Sequence, residues 1–342
     1  MITSQVAGFV VAVCMVAGSA SAQDVKSLPP GERPFRVSAG VYLIDFQKID
    51  ESTLTHTVDG YLTLEWRDPR LAKGAAGPGA ALAQSGVTLD QIWSPNIEFM
   101  NVHEPRETAN SQVTIDDRGL VKYEERFKAE FSTEFDLRHF PFDQQMLLMR
   151  IESFTHDASE VILVAREGHQ LRNPDAFLPD WFIADVRQII DTDDHNPDRR
   201  PFSRYTFDIF VQRKVGFYIW NVFLPLTFIT LLAWSVFFVA AEDLPTRSGV
   251  SITALLTAIA FSLVISGTRP RVSYLTFMDA VFLNSYFLIF MTAGSSIASH
   301  FMIRKSGTME KAERLARLGQ VGFPLVLLAT NCLLIVVFFV VW

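Results

Sequence analysis

Hydrophobic and polar positions alternate through the first part of this chain and merge into unbroken apolar blocks in the last third. From Val58 to Trp66, the residues Val58, Leu62, Leu64 and Trp66 fall on one face and Asp59, Tyr61, Thr63 and Glu65 on the other, the period of a half-buried strand. Val121 to Phe131 repeats the pattern, with Val121, Tyr123, Phe127, Ala129 and Phe131 opposite Lys122, Glu124, Arg126, Lys128 and Glu130. Asp68-Pro69, Ser94-Pro95, Asp117-Arg118-Gly119 and Asn173-Pro174 supply turns between such runs, and no amphipathic helix of about ten residues interrupts them. The pattern predicts a β-sandwich over residues 23–214. Within it, Lys73 to Gly86 and Asp191 to Arg200 lack periodicity and read as loops.

Four apolar blocks follow, at 215–241, 248–268, 275–300 and 318–342, each long enough to cross about 30 Å of hydrocarbon as a helix. Between the last two, the linker 301–317 holds five basic and two acidic residues from Arg304 to Arg317, which favours a cytoplasmic position. Arg213, Lys214, Arg269 and Arg271, near the opposite ends, weaken that bias, so orientation rests on the N-terminus. There, a short apolar run from Val6 to Ala17 and the small-residue sequence Ala20-Ser21-Ala22 read as a secretory signal over residues 1–22, although the run lacks a basic start. The expectation is a multi-pass protein of the bacterial cytoplasmic membrane with its N-terminal domain on the periplasmic side.

The second block differs from its neighbours in its Ser and Thr content. Gly249, Thr253, Leu256, Ala260, Leu263 and Gly267 recur at spacings of four and three, which places them on one helical stripe. Small and hydroxyl residues there can line a water path, and Leu256 and Leu263 can form apolar collars that close it by dewetting. The same stripe could equally be a seam of small residues for helix packing. One helix cannot enclose a pore, so the first reading requires a ring of subunits.

Composition agrees with a membrane protein: of 342 residues, 49% are hydrophobic and 20% charged, and the formal net charge is −7. An acidic chain without basic clusters offers no surface for nucleic acid. With only Cys14 and Cys332, neither a disulfide framework nor a thiolate metal site can be built. No GxSxG, HExxH, CxxC or P-loop spacing occurs, so no enzyme, cofactor or metal is expected. The competing class is a membrane-anchored periplasmic sensor or binding module. A plain anchor has no use for Gly249 and Thr253 in register with apolar collars, and oligomeric mass in detergent separates the two.

Several motifs occur in a telling order. Trp66-Arg67-Asp68-Pro69-Arg70-Leu71 and Trp93-Ser94-Pro95 precede Phe140-Pro141-Phe142-Asp143-Gln144-Gln145; Arg213 and Pro225 bracket the start of the first block; Pro245-Thr246-Arg247-Ser248-Gly249-Val250-Ser251-Ile252-Thr253 and Pro270-Arg271-Val272-Ser273-Tyr274 bracket the second. Together with four spans, these resemble the pentameric ligand-gated ion channels, or Cys-loop receptors, over essentially the whole mature chain. Thr133 and Leu147 stand where animal members carry two cysteines, and the linker between spans three and four is short, as in prokaryotic members.

The resemblance implies a mixed membrane protein: an extracellular β-sandwich followed by a four-helix transmembrane bundle, assembled as a homopentamer in membrane lipid, with the second span lining an ion pore. It implies a small-molecule agonist between subunits, at an aromatic cage matched by Phe99, Phe154 and Phe202, with Tyr61 and Thr63 across the interface and Arg126 as a further candidate. It also implies a coupling cluster of Glu51, Asp143 and Arg213 at the membrane surface, with Pro270 receiving the movement. Pro245, Thr246 and Arg247 resemble the selectivity segment of anion-conducting members, so permeating anions such as chloride are expected, and a cation-selective channel, with the proton as one candidate agonist, is the alternative because Glu242 and Asp243 lie nearby. The second-span His and extracellular Glu of the proton-gated branch are Ala258 and Leu54 here, which leaves His56, His103, His139, His156 and His195 as titrators.

Overall fold

The computed structural model describes residues 25–75, 79, 86–194, 200–267, 272–306 and 309–341. The expected signal segment, His195 and Pro270 lie outside them.

The alternating half folds as nine strands: β1 (Phe35–Asp50), β2 (Thr55–Arg67), β3 (Ile97–Phe99), β4 (Glu107–Ile115), β5 (Leu120–Ser132), β6 (Gln144–Ser153), β7 (Val161–Ala165), β8 (Trp181–Asp193) and β9 (Phe202–Arg213). They form a five-stranded sheet ordered β4-β5-β2-β1-β7 and a four-stranded sheet ordered β3-β6-β9-β8. The inward rows of β2 and β5 are buried between the sheets, with Trp66, Phe127 and Phe131 meeting Tyr205 and Phe207 of β9 in one core. Face-to-face burial of alternate residues is what a sandwich requires. Gly119 closes the β4–β5 turn at φ +75, and a Cβ there would stand 2.3 Å from the Asp68 carbonyl oxygen, so the turn needs glycine. One inward position departs from the apolar rule. Glu125 of β5 is fully buried, held by Arg106 at 2.8 Å and by the hydroxyls of Thr108 and Tyr123.

Four helices follow: α1 (Gly216–Phe238), α2 (Leu244–Ser266), α3 (Phe277–Ser306) and α4 (Glu310–Val341), each long and apolar enough to span a bilayer. Pro225 has no N–H to give the preceding turn, and the backbone there opens into a π turn at Ile219–Phe223. In α2, the Asp243 side chain caps the Thr246 N–H at 3.1 Å and Pro245 occupies the first turn, where its missing donor is harmless. The stretch read as a linker, 301–317, is mostly helix: α3 runs to Ser306 and α4 begins at Glu310, where Glu310–Arg314 and Glu313–Arg317 pairs support the first turns.

The sandwich rests on the helices through backbone contacts. Phe277 and Met278, opening α3, donate to the carbonyls of Arg138 and Phe140 at 2.8 and 3.2 Å, and the Leu137 N–H donates to the Tyr274 hydroxyl oxygen at 2.9 Å. The turn Phe140-Pro141-Phe142-Asp143 therefore sits directly on the bundle.

Candidate functional site

Three groups of side chains carry the functional argument. The first is at the junction. Arg213 ends β9 and turns inward: its Nε donates to Asp143 Oδ1 at 2.7 Å, Nη2 to Asp143 Oδ2 at 2.9 Å, and Nη1 to Glu51 Oε1. The guanidinium lies 4.1 Å from the Trp181 ring centroid and 4.6 Å from that of Phe140. Arg213 and Asp143 are both almost completely buried, so a two-pronged pair in an aromatic box fixes the turn on the last residue of β9. Burial works against the charge on Arg213, but hydrogen bonds to and attraction by Asp143, then Glu51, outweigh it and raise its pKa. Burial is also the larger influence on Glu51, whose carboxyl is raised above its usual range despite the pull of Arg213. Glu51, Asp143 and Arg213 thus meet as one cluster.

The second group is the stripe of α2. Gly249, Thr253, Leu256, Ala260, Leu263 and Gly267 are all exposed in the single chain, Leu256 by 62%, whereas Arg247, Ser251, Ala254, Ala258 and Ile265 point into the bundle. Pro245 and Thr246 share the exposed side. Arg247 does not. Of the three residues matched to the selectivity segment it alone turns inward: Arg247 is 0% exposed and its three guanidinium nitrogens find no hydrogen-bond partner among the described residues. Four hydroxyls of α2 are satisfied within the helix: Ser248 donates to the Leu244 carbonyl, Thr257 to that of Thr253, Ser262 to that of Ile259 and Ser266 to that of Leu263. Ser251, on the inner side, instead pairs with Thr292 of α3 at 2.9 Å.

The third group is the expected ligand cage, which the single chain does not close. Phe154, just past β6, is strongly exposed, and Phe202, opening β9, is half-buried with the Arg200 guanidinium 5.6 Å from its ring; one follows and the other begins a strand of the four-stranded sheet. Tyr61 and Arg126 are register partners on the outer face of the five-stranded sheet, where they line a cavity of about 440 Å³ with Asn110, Ser111, Gln112 and Glu124. Arg126 is engaged by Asp59 at 2.8 Å. Two candidates are placed elsewhere. Phe99 is 4% exposed and packs on Phe127 and Phe131 with ring centroids 4.9 and 5.3 Å away, so it is a core residue. Thr63 lies on the outer face as its parity requires, yet it is covered between β1 and β5.

Sequence reasoning missed what holds the aromatic side of the cage. Arg204, two residues beyond Phe202, bonds Glu152, two residues before Phe154, and Asp193 at the end of β8, tying the loop after β8 to the loop after β6. Burial raises the Glu152 carboxyl above its usual range against the opposing effect of Arg204. Below Phe154, the Trp93 indole donates to His156 Nε2 at 3.3 Å, which leaves the proton on Nδ1, 2.8 Å from Glu160 Oε2. An inward Glu or Arg beside a predicted loop is the sequence signal that would have found such ties.

A sandwich seated on four spans, an exposed stripe of small, hydroxyl and leucine side chains along the second span, and an acid–base lock between the two halves define a ligand-gated ion channel built from several copies. Comparison with known proteins agrees. The family described as the neurotransmitter-gated ion-channel ligand binding domain matches residues 22–215, and the corresponding transmembrane region matches 222–318. A proton-gated ion channel of Gloeobacter violaceus is 27% identical over 319 residues, 93% of this chain and 88% of the relative. A gamma-aminobutyric acid receptor subunit beta-like protein of Drosophila melanogaster is 26% identical over 285 residues, 78% of this chain and 56% of the receptor subunit. The chain belongs to the neurotransmitter-gated ion-channel family, the pentameric Cys-loop receptors, as a multi-pass membrane channel of the prokaryote-like type and not an enzyme or a plain membrane-anchored sensor.

Proposed function

We propose that this ligand-gated channel conducts small anions through a fivefold pore lined by α2. The observation that carries the proposal is the charge pattern at the start of α2. No acidic side chain lies on its exposed stripe from Thr246 to Gly267, and Asp243 is engaged in capping the helix. Five helix N-termini at the cytoplasmic mouth present their positive ends to the permeating ion. Arg247 contributes its charge from inside the bundle, through a medium of low dielectric, rather than by contact. Selectivity then rests on field rather than on a ring of touching guanidinium groups.

A second reading, cation conduction, is supported by exposed Glu242 and by Asp243, two carboxylates per subunit beside the mouth. Reversal potentials under a chloride gradient decide between them. A reversal that tracks chloride supports anions, and one that tracks sodium or potassium and ignores chloride refutes them. Thr246→Glu moves an anion channel toward cations.

The agonist in this proposal is a small molecule seated between Phe154 and Phe202 of one subunit and Tyr61 and Arg126 of the next, where ring faces attract cationic groups and Arg126 orients acidic ones. Glu51, Asp143 and Arg213 transmit its binding to the pore domain, with Leu256 as the gate. Current recording across a panel of small amines, amino acids and pH values tests this. Responses surviving Phe154→Ala, Phe202→Ala and Arg126→Ala unchanged argue against the site, and activation by acid alone favours the proton as agonist.

A further inference from the structure

A surface outside all three groups faces the membrane boundary. The segment between β7 and β8 folds back over Lys214, two residues before α1: the Lys214 N–H donates to the Asp180 carbonyl at 2.8 Å, and its Nζ donates to the carbonyls of Leu178 and Pro179 at 2.8 and 3.0 Å. Leu178 is buried and anchors the segment, while its neighbour Phe177 is 64% exposed and Phe182, across Lys214, is 59% exposed. The ammonium lies 4.5 Å from the Phe177 ring centroid and 4.9 Å from that of Phe182. Two large rings and a cation therefore form one fixed platform, held by backbone carbonyls.

Its level is set by the chain. Strand register places Phe182 beside Gln212, just outside Gly216 where the first span begins, and the exposed Phe217 and Trp220 continue the apolar surface downward. The platform thus stands beside the start of the first span, the level at which headgroups and glycerol border a helix that crosses the bilayer. An ammonium has three donors, and two are occupied by the carbonyls of Leu178 and Pro179; no acceptor for the third is found among the described residues. Phenyl rings at that depth gain by leaving water for the acyl boundary. Exposed Asp175 and Asp180 flank the segment, so this is no general basic patch, and attraction is local to the single N–H.

We propose that Phe177, Lys214 and Phe182 form a binding surface for an anionic phospholipid of the outer leaflet, its phosphate accepting from Lys214 Nζ while the two rings lie against its glycerol and upper acyl chains. The lipid would bear on the residue next to Arg213, so headgroup composition has a direct route to the coupling cluster. The inference rests on the membrane placement of the chain and is independent of the agonist and ion proposed above.

The test uses the full channel with Cys14→Ser and Cys332→Ser, a single Phe177→Cys or Phe182→Cys carrying a bimane label, and vesicles of phosphatidylcholine with or without phosphatidylglycerol. Lipid carrying a nitroxide high on its acyl chain quenches both labels strongly and aqueous iodide does so weakly; nitroxide phosphatidylglycerol quenches about threefold more than the matched phosphatidylcholine, and Lys214→Gln removes that preference. Quenching by iodide at the level of a label at exposed Leu120, high on the sandwich, overturns the proposal. Quenching by neither reagent places the surface under a neighbouring subunit and also overturns it. A glycerol-lipid preference that survives Lys214→Gln overturns the phosphate contact.

Discussion

His56 Nδ1 and the Thr133 hydroxyl stand 2.8 Å apart inside the sandwich, with the imidazole stacked on Phe131 and its Nε2 unpartnered among the described residues. Thr133 occupies one of the positions where animal members carry a cysteine, so a polar contact holds the segment leading to the Phe140-Pro141 turn. Burial pushes the His56 pKa down to about 3. The folded state therefore prefers the neutral ring. Stability from this site is complete above the unfolded value near 6.5 and is lost as pH falls toward 3, by at most about 5 kcal/mol. Thermal midpoints of the solubilised pentamer should fall over that window, and His56→Gln should flatten the fall. An equally steep fall in His56→Gln assigns the acid sensitivity elsewhere.

Arg213→Ala or Asp143→Ala leaves a buried charge without its partner, a loss of about 3–5 kcal/mol. Agonist currents should be suppressed, with assembly partly retained. Arg213→Lys keeps the charge but cannot reproduce the two-pronged bond, and should give intermediate currents. Wild-type currents in either alanine variant would show that the lock is not used in gating.

Because the Glu51 carboxyl is raised above its usual range, its ion pair with Arg213 is lost as pH falls through that raised value, ahead of ordinary carboxylates. Its protonated form is the one the fold favours, so acidification releases Arg213 on this side without unfolding the junction. Glu51→Gln should reproduce at neutral pH the part of the acid effect on gating that arises here. An acid response in Glu51→Gln identical to wild type counts against Glu51 as a contributor.

Leu256 presents the largest apolar side chain mid-way along the exposed stripe. Leu256→Ser should raise spontaneous opening or agonist sensitivity, because a hydroxyl wets the collar. Normal surface expression with unchanged gating rejects it as the gate.

Gly319 of α4 packs on the Phe237 ring of α1, where a Cβ would come within 2.2 Å. Gly319→Ala should destabilise docking of α4 by about 1–3 kcal/mol, and Phe237→Leu should recover part of it. Thermal denaturation of the four variants of the cycle measures the coupling; additive effects would place the two residues out of contact.

The strands and the α2 stripe were legible because period two and the four-three spacing are local properties of the chain. Arg247 was legible by the same rule, since it lies two residues, about 200°, from Gly249 and so on the opposite side of the helix. Phe99 and Thr63 were not legible, because their burial depends on which strands cover them. Glu125 sits in the inward row of β5, where an apolar residue was due, and that break was the sign of the buried network with Arg106. Glu51, Asp143 and Arg213 lie far apart in sequence, and only resemblance placed them together.

The hydroxyls of Ser248, Thr257, Ser262 and Ser266 each lean on a carbonyl of their own helix. These four hydroxyls ask no hydrogen bond of the surroundings, which lowers the cost of holding their side of the helix in lipid before companion subunits arrive. The same hydroxyls retain acceptor lone pairs that water can reach once a channel fills. The α2 segment is thus compatible with two solvents in turn, oil during biogenesis and brine during conduction, without a change of backbone.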